Sequence, residues 1–428
     1  MSTYYIDPIL GLDENDGLSA SSPKMDYTKI DVKSGDTLLF KCGSFLRGHL
    51  QNPYNNSGEV ITYSSYGEGE KPTFCGSLDV LSDHSVWCEE EKNIWVTEAI
   101  KDDEVCNFIF NNEDNCGTLR WTKEELCAQG DFFDTCFGYR NGLKEFPEGH
   151  KIYLYSEKNP GEYYNHIEAV VYGRRWMVTS GTNLRFENLR FINSGVHGIA
   201  GGPCAKNLHV KNCNFEFIGG AVWNYNLKIR FGNGFECWDI AEDVSVTDCY
   251  FYNIYDSGVT HQGSKEKCEP CKNVHFDNNI FIKCGMGAYE QRDLLPMYAT
   301  FSGNVCIDAG EGFSKLGEEM PRYSEIWPQP MGHHIFLWRI DETTEGGKIE
   351  IKNNIFASSP YGAAIYSIIC KEAEDQIELE GNIYCESEKD ELVARWHGKN
   401  YKDFAEYLKE NFDKGAKLGS IDKAKYIK

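Results

Sequence analysis

Apolar and polar residues alternate in a nine-residue pattern that occurs seven times along the chain. Two clear copies are Asp243-Val-Ser-Val-Thr-Asp248-Cys-Tyr-Phe251 and Asn273-Val-His-Phe-Asp-Asn278-Asn-Ile-Phe281. A period of two predicts a β-strand. The Asn or Asp that follows predicts a turn, because these residues tolerate the left-handed conformation. The remaining copies begin at Asn183, Asn207, Tyr298, Lys348 and Gln376.

The spacing of these copies predicts the fold. They start at residues 183, 207, 243, 273, 298, 348 and 376, so successive starts lie 24 to 50 residues apart. A repeat of this length indicates a solenoid, and one coil of a parallel β-helix takes roughly 20–30 residues. We therefore predict an all-β fold, a right-handed parallel β-helix solenoid in which the longer spacings carry loops that leave the coil.

A second strand in each coil is predicted where a glycine precedes a short, mostly apolar run. Such runs begin at Gly198, Gly234, Gly258, Gly287, Gly312 and Gly362. Polar side chains interrupt three of them, at Glu236, His261 and Glu290. Because equivalent strands of successive coils lie side by side, these three side chains are predicted to stack on one face and to form the functional site.

The less regular segments predict the domain organisation. The parallel β-helix is expected over residues 1–390, with a β-rich inserted lobe at about 80–180 and a long loop at 309–331. Residues 391–428 are expected to form a C-terminal helical cap, because their apolar residues after Asn400 have the spacing of an amphipathic helix. A cap is needed to cover the last coil of a solenoid.

Composition excludes several classes of partner. The 428-residue chain has a formal net charge of −23, which argues against nucleic acid because phosphates need a basic groove. There is no apolar run long enough to cross a membrane and no signal peptide after Met1, so a cytoplasmic location is expected, or secretion if a leader was removed. The 17 cysteines are expected to be reduced thiols. Cys268 and Cys271 lack a second pair, so neither a metal nor a cofactor is predicted.

Glu236 and Glu290 are the main catalytic candidates. They lie two coils apart, and adjacent strands are about 4.8 Å apart, so the carboxylates are expected roughly 9–10 Å from one another. Inverting glycosidases hold their two carboxyl groups about 6.5–9.5 Å apart. Trp238 and Tyr289 flank the pair and are expected to bind the flat faces of sugars.

Other residues of the central coils extend this candidate site. Asp256 is an alternative acid or base, and His261 is expected to orient a carboxylate or to bind a hydroxyl. Thr260 and Gln262 are predicted substrate contacts on the same strand. Arg292 is expected to keep Glu290 ionised, which leaves Glu236 as the protonated acid, although the reverse assignment stays open.

The long loop and the segment after it supply the remaining substrate-binding candidates. A loop of this length inside a solenoid is usually functional, and we predict that it forms a wall of the sugar subsites. Its candidate residues are Lys315, Glu318, Glu319, Arg322 and Trp327. His333 and His334 follow the loop, and one of two successive strand residues must face outward.

Several motifs resemble those of a known family. The N-terminal YYIDPILGLDENDGLSASSP, SGDTLLFKCGSFLRG and SYGEGEKP resemble the first coils of pectate-lyase-like, right-handed parallel β-helix proteins that act on carbohydrates. The central GNGFECW, YDSGVTHQG, GMGAYEQRD and GHHIFLW are similar to coils of bacterial members, which include several glycoside hydrolase families. The resemblance implies a carbohydrate substrate. Neither the paired aspartates of polygalacturonases nor the calcium-binding aspartates of pectate lyases are visible.

Three functions are therefore open. The preferred one is a glycoside hydrolase that uses Glu236 and Glu290 as acid and base. The second is a polysaccharide lyase or epimerase, in which His261 removes a proton beside a uronate carboxylate and Arg292 or Lys315 neutralises that carboxylate. The third is a sugar-binding β-helix without catalytic activity, since a fold does not determine a function.

Overall fold

Three β-sheets surround one hydrophobic core, and their strands are parallel except for the antiparallel pair Ala394–Trp396 and Lys399–Tyr401 at the C-terminal end. The computed structural model describes residues 1–55, 58–112, 114–142, 144–173, 175–202, 204–238, 240–262, 269–326, 331–385 and 392–427. In these ranges the sheets, named A, B and C, contain eleven, ten and nine strands, and each regular coil contributes one strand to each sheet in that order.

The strands of each sheet follow one another along the helix axis in chain order. Sheet A consists of Thr3–Ile6, Thr37–Lys41, Ile61–Tyr66, Thr182–Glu187, Cys204–Lys211, Ile240–Thr247, Lys272–Asp277, Ala299–Ser302, Ile349–Lys352, Ile377–Glu380 and Asp413–Lys414. Sheet B consists of Phe45–Arg47, Thr73–Cys75, Arg190–Ser194, Asn214–Ile218, Tyr250–Ile254, Ile280–Cys284, Val305–Ile307, Ile355–Ala357, Ile383–Cys385 and Lys417–Leu418. Sheet C consists of Trp176–Thr179, His197–Ala200, Phe235–Trp238, Ser257–Gln262, Gly287–Arg292, His333–Trp338, Ile365–Ile368, Ala394–Trp396 and Lys399–Tyr401.

The seven copies of the sequence pattern form seven consecutive strands of sheet A. Their apolar positions are in register, as in the pairs Leu184 with Leu208 and Val244 with Val274. The turn residues after these strands have positive φ angles near 50–58°, at Asn188, Asn212, Asp248, Asn278 and Asn353. The predicted right-handed parallel β-helix is therefore confirmed, and parallel connections have this hand in about 98% of cases.

Two ladders of buried side chains connect the coils inside the core. Phenylalanine rings stack from coil to coil, with centroids 4.9 Å apart between Phe215 and Phe251 and between Phe251 and Phe281. At the turn between sheets A and B, fully buried asparagines bond one another and the adjacent backbone; they are Asn279, Asn304, Asn354 and Asn382. These side chains satisfy backbone groups that the turn leaves unpaired.

Replacing Asn354 by alanine is expected to lower the free energy of unfolding by at least about 3 kcal/mol. Its side-chain oxygen accepts from the backbone N–H of Asn304, and its amide donates to the carbonyl oxygen of Phe301. The substitution leaves these buried groups without partners. Urea unfolding measures the effect, with Asn353→Gly as control, because Asn353 is exposed and glycine adopts its positive φ. Equal stability of the two variants would contradict the role of the ladder.

One strand of sheet C was predicted at the wrong position in the sequence. The run after Gly312 forms a 3₁₀ helix, Phe313–Lys315, and the strand of this coil is His333–Trp338, on the other side of the long loop. Gly312 has a φ of 93° and accommodates the turn into this loop. In the next coil the run after Gly362 does contain a strand, which begins at Ile365.

An inserted lobe follows the first coils. It contains a three-stranded sheet, Ser77–Leu78, Val105–Phe110 and Ile167–Val171, and a five-stranded sheet, Cys88–Glu91, Ile94–Thr97, Thr118–Leu119, Asp131–Asp134 and Ile152–Tyr155. A separate apolar cluster fills it and includes Val222 of the β-helix hairpin formed by Ala221–Asn224 and Ile229–Phe231. The hydroxyl of Tyr225, also in that hairpin, donates to the carbonyl oxygen of Trp121 in the lobe at 2.5 Å. The lobe and the hairpin therefore pack together.

The remaining helices are short. The α-helices are Pro160–Tyr163, Lys371–Glu374 and Phe404–Lys409, and the other 3₁₀ helices are Tyr27–Lys29, His84–Val86, Lys123–Glu125 and Lys423–Lys425. The helix expected after Asn400 is thus Phe404–Lys409. Sheets A, B and C continue beyond residue 391 with Asp413–Lys414 in A, Lys417–Leu418 in B, and Ala394–Trp396 and Lys399–Tyr401 in C, so the tail also extends the coils. The predicted boundary at 390–391 lies outside the described residues.

No helix in the described ranges has both the length and the apolar character needed to span a bilayer.

Candidate active site

A cleft of about 590 Å³ lies on the outer face of sheet C. It crosses the first six strands of this sheet, which at about 4.8 Å per strand gives a length of about 24 Å. One wall is the hairpin Ala221–Asn224 and Ile229–Phe231, which contributes Trp223 and Phe231. A second wall is the long loop, which contributes Arg322.

Strand register places two glutamates on the floor of the cleft. Glu236 is paired with Thr260, and Thr260 with Glu290, so the two glutamates lie on the same face with one strand between them. Both line the cleft, and Thr260 is fully buried between them. Two strand spacings separate their backbones by about 9–10 Å. Thr260, predicted to bind substrate, has no exposed surface and accepts instead from the side chain of Gln262 at 3.3 Å.

Glu290 is the most deeply buried carboxyl group of the cleft, with 1% of its surface exposed. One of its oxygens accepts from Nε1 of Trp338 at 2.8 Å, and the other from the hydroxyl of Ser257 at 3.2 Å and the amide of Gln262 at 3.3 Å. Burial raises the pKa of Glu290, and the positive charge of Arg292 and the Trp338 hydrogen bond only partly oppose this rise. The direction is opposite to our prediction that Arg292 keeps Glu290 ionised.

Glu236 lies beside a neutral histidine. Its Oε2 accepts from the side-chain amide of Asn233 at 2.5 Å and lies 3.7 Å from Nδ1 of His197. That nitrogen accepts from the backbone N–H of Asn233 at 3.0 Å, so the ring proton resides on Nε2. Burial lowers the pKa of His197, which keeps the ring neutral although Glu236 favours its charged form.

Asp256 is the third carboxylate of the cleft. Its Oδ1 accepts from Nε of Arg322 at 2.5 Å, and its Oδ2 accepts from the backbone N–H of Gly232 at 3.0 Å. Both oxygens are therefore engaged, in contrast to Glu236, whose hydrogen bond uses Oε2. Arg322 comes from the long loop, so this ion pair also fixes the loop over the central strands.

Asn233 and Ser257 connect the two glutamates. The amide of Asn233 donates to Glu236, and its oxygen accepts from the backbone N–H of Ser257 at 3.0 Å. The hydroxyl of Ser257 then donates to Glu290. A chain of hydrogen bonds thus links the two carboxyl groups through the middle coil, and Asp256 lines the same cleft.

Two tryptophans and an arginine form an aromatic wall next to these carboxylates. The guanidinium of Arg292 lies 5.4 Å from the ring centroid of Trp238 and 5.5 Å from that of Trp338. All three residues, together with Gln262, line the cleft. Trp238 is 39% exposed, so its ring is available to a ligand. Flat apolar surfaces beside a few polar groups are typical of sugar-binding sites.

The predictions for His261 and Tyr289 are wrong. The ring of His261 contacts Phe276 in the core, and its Nε2 lies 2.9 Å from the hydroxyl of Tyr289. Tyr289 stacks on Phe301 inside the β-helix. His261 lies one residue away from Thr260, and successive strand residues point to opposite faces, so its side chain is turned inward. Burial lowers the pKa of His261 to about 3, and the ring stays neutral.

Three other predicted contacts also lie away from the cleft. Lys315 packs over the ring of Tyr361. His333 stacks on Tyr366, 4.3 Å between centroids, and His334 stacks on Phe356. The long loop turns Lys315 away, and the two histidines begin a strand that is buried on both faces. Glu318 is bonded to the lobe through Trp121, Glu319 is not among the cleft residues, and Trp327 lies outside the described residues.

The sequence did not single out several residues of the cleft. His197 contacts Glu236 from the preceding coil, and Asn233 bonds it from its own coil, three residues before it. Trp338 ends the motif GHHIFLW. It lies two residues after Phe336 on the same strand, so both side chains point to the outer face, and this spacing was the signal that could have identified Trp338. Trp176, Trp223, Arg175 and Arg339 also line the cleft.

In the described part of the chain, one cluster of side chains of the kinds that bind metal ions lies in the lobe, away from the cleft. Ligand atoms of Asp134, Cys136 and His150 lie within 4.8 Å of one another and are buried. The carboxylate of Asp134 already accepts from the backbone N–H groups of Val105 and Cys136 and lies 2.7 Å from Nε2 of His150. This arrangement works as an internally bonded network that fixes the lobe. Of the two cysteines of the Cys268-x-x-Cys271 motif, Cys268 lies outside the described residues.

Comparison with solved structures supports the fold. The chain is similar to a protein described as XylC in complex with xylose, with a TM-score of 0.55 and 12% identity over 89% of this chain. It spans 62% of the length of that protein. A GH136 lacto-N-biosidase from Eubacterium ramulus has a TM-score of 0.45 at 12% identity, over 98% of this chain and 67% of its own. A rhamnogalacturonan lyase has a TM-score of 0.44 at 12% identity, over 94% and 75%. No family model and no curated protein matches the sequence.

Proposed function

We propose that this chain is a glycoside hydrolase in which Glu290 donates a proton and Glu236 activates water. The observation that carries the proposal is the placement of a buried carboxyl group of raised pKa opposite a second glutamate in a cleft lined by tryptophans. An acid–base mechanism needs one carboxyl group that holds its proton, and the raised pKa of Glu290 meets this need.

Glu290 supplies the acid because burial favours its protonated form. A protonated carboxyl group can donate to the oxygen of the bond that breaks, and it then becomes the carboxylate that Trp338 and Gln262 already face with N–H donors. These donors and the charge of Arg292 stabilise the anion that forms during the reaction. The site therefore supports both protonation states of this group.

Glu236 supplies the base. Asn233 holds its Oε2, and burial keeps the neighbouring His197 ring neutral. The backbones of the two glutamates lie about two strand spacings apart, and the proposed inverting mechanism places the attacking water between their carboxyl groups. Asp256, fixed by Arg322, then places a negative charge beside the oxocarbenium-like centre that develops in the sugar ring.

A screen of aryl glycosides and of linear plant and host oligosaccharides tests this proposal, with new reducing ends as the readout. We expect release of reducing ends from at least one series. The same reactions are followed by ultraviolet absorbance, which detects the unsaturated sugars that a lyase forms. If ultraviolet absorbance increases in proportion to the number of new reducing ends, the products are unsaturated sugars and the proposal of a hydrolase is refuted.

The alternative of a uronate lyase is favoured by one observation. Four arginines line the cleft of a chain whose formal charge is −23; they are Arg175, Arg292, Arg322 and Arg339. Such a concentration of positive charge suits a carboxylate-bearing sugar. The base first proposed for this reaction, His261, lies in the core, so a lyase would need Glu236 or Asp256 in its place.

Replacing Trp338 by phenylalanine is expected to move the alkaline limb of the pH–rate profile to higher pH. The Trp338 hydrogen bond lowers the pKa of Glu290 because it favours the ionised form, so its loss raises this pKa further. An acid that must be protonated loses activity as pH rises through its pKa. The profile of kcat measures the shift, with Trp95→Phe in the lobe as control, since Nε1 of Trp95 bonds the carbonyl oxygen of Ser156. A limb that stays in place or moves to lower pH would argue against Glu290 as the acid.

A further inference from the structure

A second cavity of about 370 Å³ lies at the N-terminal end of the cleft. Its lining mixes aromatic, apolar and polar side chains, and the polar ones include Thr28, Asp31, Gln51 and Asn52. Trp176 lines both this cavity and the cleft, so the two spaces are neighbours at this residue. Nothing in the proposed acid–base mechanism uses the second cavity.

The two cavities follow one another along the helix axis. The backbone N–H of Leu50 donates to the carbonyl oxygen of Met177 at 3.0 Å, and the side chain of Asn52 exchanges two hydrogen bonds with the backbone of Thr179. The segment around residue 50 therefore lies along the free edge of Trp176–Thr179, the first strand of sheet C, where a preceding strand would lie. A linear molecule lying along the cleft reaches this segment after it crosses Trp176.

Trp176 is held as a flat platform at this junction. A Cβ atom at Gly201 would lie 2.4–2.5 Å from three ring carbons of Trp176, so one face of the indole rests directly on the glycine backbone. Gly201 has a φ of 82°, which also favours glycine. Nε1 of Trp176 donates to the hydroxyl of Thr179 at 2.9 Å, and this bond fixes the rotation of the ring.

We infer that the second cavity is a carbohydrate subsite, which binds the distal units of a linear oligosaccharide whose other end lies in the cleft. The inference rests on the proposed function for the nature of the ligand. The outer face of the Trp176 ring stacks on the apolar face of a sugar unit, as aromatic rings do in sugar-binding sites. Gln51, Asp31 and Thr28 offer hydrogen bonds to hydroxyl groups beyond it. The enzyme therefore prefers long oligosaccharides to short ones.

Equilibrium binding to the full chain tests this subsite. The probes are fluorescently labelled linear oligosaccharides of the xylose, glucose, galactose and galacturonate series, each in several lengths, and the protein carries Glu290→Gln so that the probes stay intact. We expect affinity to rise with chain length. Trp176→Ala is expected to reduce this gain about tenfold, the effect of losing one aromatic anchor. Gln51→Ala tests the second cavity alone, and Tyr163→Ala, an exposed tyrosine of the lobe, is the matched control.

The outcomes separate this inference from the proposed function. A length-dependent gain that Trp176→Ala and Gln51→Ala both reduce supports the subsite, and if the parent enzyme cleaves none of these probes, the hydrolase proposal alone fails. Equal affinity for short and long members of the series that binds overturns the subsite, whether or not the parent enzyme cleaves it. A gain that neither variant reduces also overturns it, because the added units then bind elsewhere.

Discussion

Turnover is expected to fall about 100- to 10,000-fold when Glu290 or Glu236 is replaced by glutamine. Glutamine keeps the size of the side chain and can keep accepting from Trp338 at position 290 or from Asn233 at position 236. It removes the acidic proton that Glu290 donates or the basic carboxylate with which Glu236 accepts one. Rates on any substrate found in the screen, at saturating concentration, measure the loss.

The two variants should differ in how they depend on pH. In Glu290→Gln the residual activity should no longer decline along the alkaline limb, because the group that loses its proton there is gone. Glu236→Gln should retain that limb. Stability provides a second distinction, since burial raises the pKa of Glu290 and its ionisation therefore opposes folding. The glutamine variant at position 290 is expected to unfold at a higher temperature than the parent at neutral pH.

A control and a contradicting result complete this test. Glu242→Gln changes a half-exposed glutamate of sheet A, away from the cleft, and should leave the rate unchanged. Near-parent rates in both site variants would assign the pair a structural role. Asp256→Asn is then the variant to measure, because Asp256 is the remaining carboxylate of the cleft.

The fold was predictable because sheet A has one buried and one solvated face. Its strands alternate apolar and polar residues, and the turn positions after them, such as Asn188 and Asp248, adopt the positive φ that Asn and Asp tolerate. Local sequence therefore specified both the strand and its end. The seven copies predicted that the coils stack into a solenoid, because a repeated unit that cannot bury its apolar face alone must stack on the next one.

Sheet C was harder to predict because its central strands are buried on both faces. All six residues of His333–Trp338 are buried, as are those of Ser257–Gln262, so no alternation marks which side chains point outward. A shift by one residue turns every side chain to the opposite face. This explains why Glu236 and Glu290 were placed on the cleft side correctly, whereas His261 and Tyr289 were placed there wrongly.

The supporting residues of the site could not be predicted from local patterns. Asn233 bonds Glu236 in its own coil, but it also bonds Ser257 and His197, which lie 24 and 36 residues away in the sequence. Such partners become visible only when the register of the coils is known. Arg322 is a similar case, because its ion pair with Asp256 depends on the path of the long loop.

Replacing Glu104 by glutamine is expected to stabilise the protein by about 3 kcal/mol at pH 7. Glu104 is fully buried in the lobe, and burial, together with the negative charges of Asp134 and Asp103, raises its pKa to about 8. In the unfolded chain the same group ionises near its ordinary value of 4.5. At pH 7 the parent protein must therefore bind a proton in order to fold, and glutamine removes this requirement.

The sign of the effect follows from the two pKa values. Below pH 4.5 both states of the parent carry the proton, and Glu104 costs no stability. Between pH 4.5 and 8 the unfolded state ionises first, so parent stability declines across this range relative to Glu104→Gln, and above pH 8 the difference stays constant. Urea unfolding at pH 4.5, 7 and 8.5 measures the difference. Glu98→Gln, at an exposed glutamate of the same lobe, is the control. A stabilisation by Glu104→Gln that is equally large at pH 4.5 and 8.5 would contradict this account, because the gain would then come from packing and not from the ionisation of Glu104.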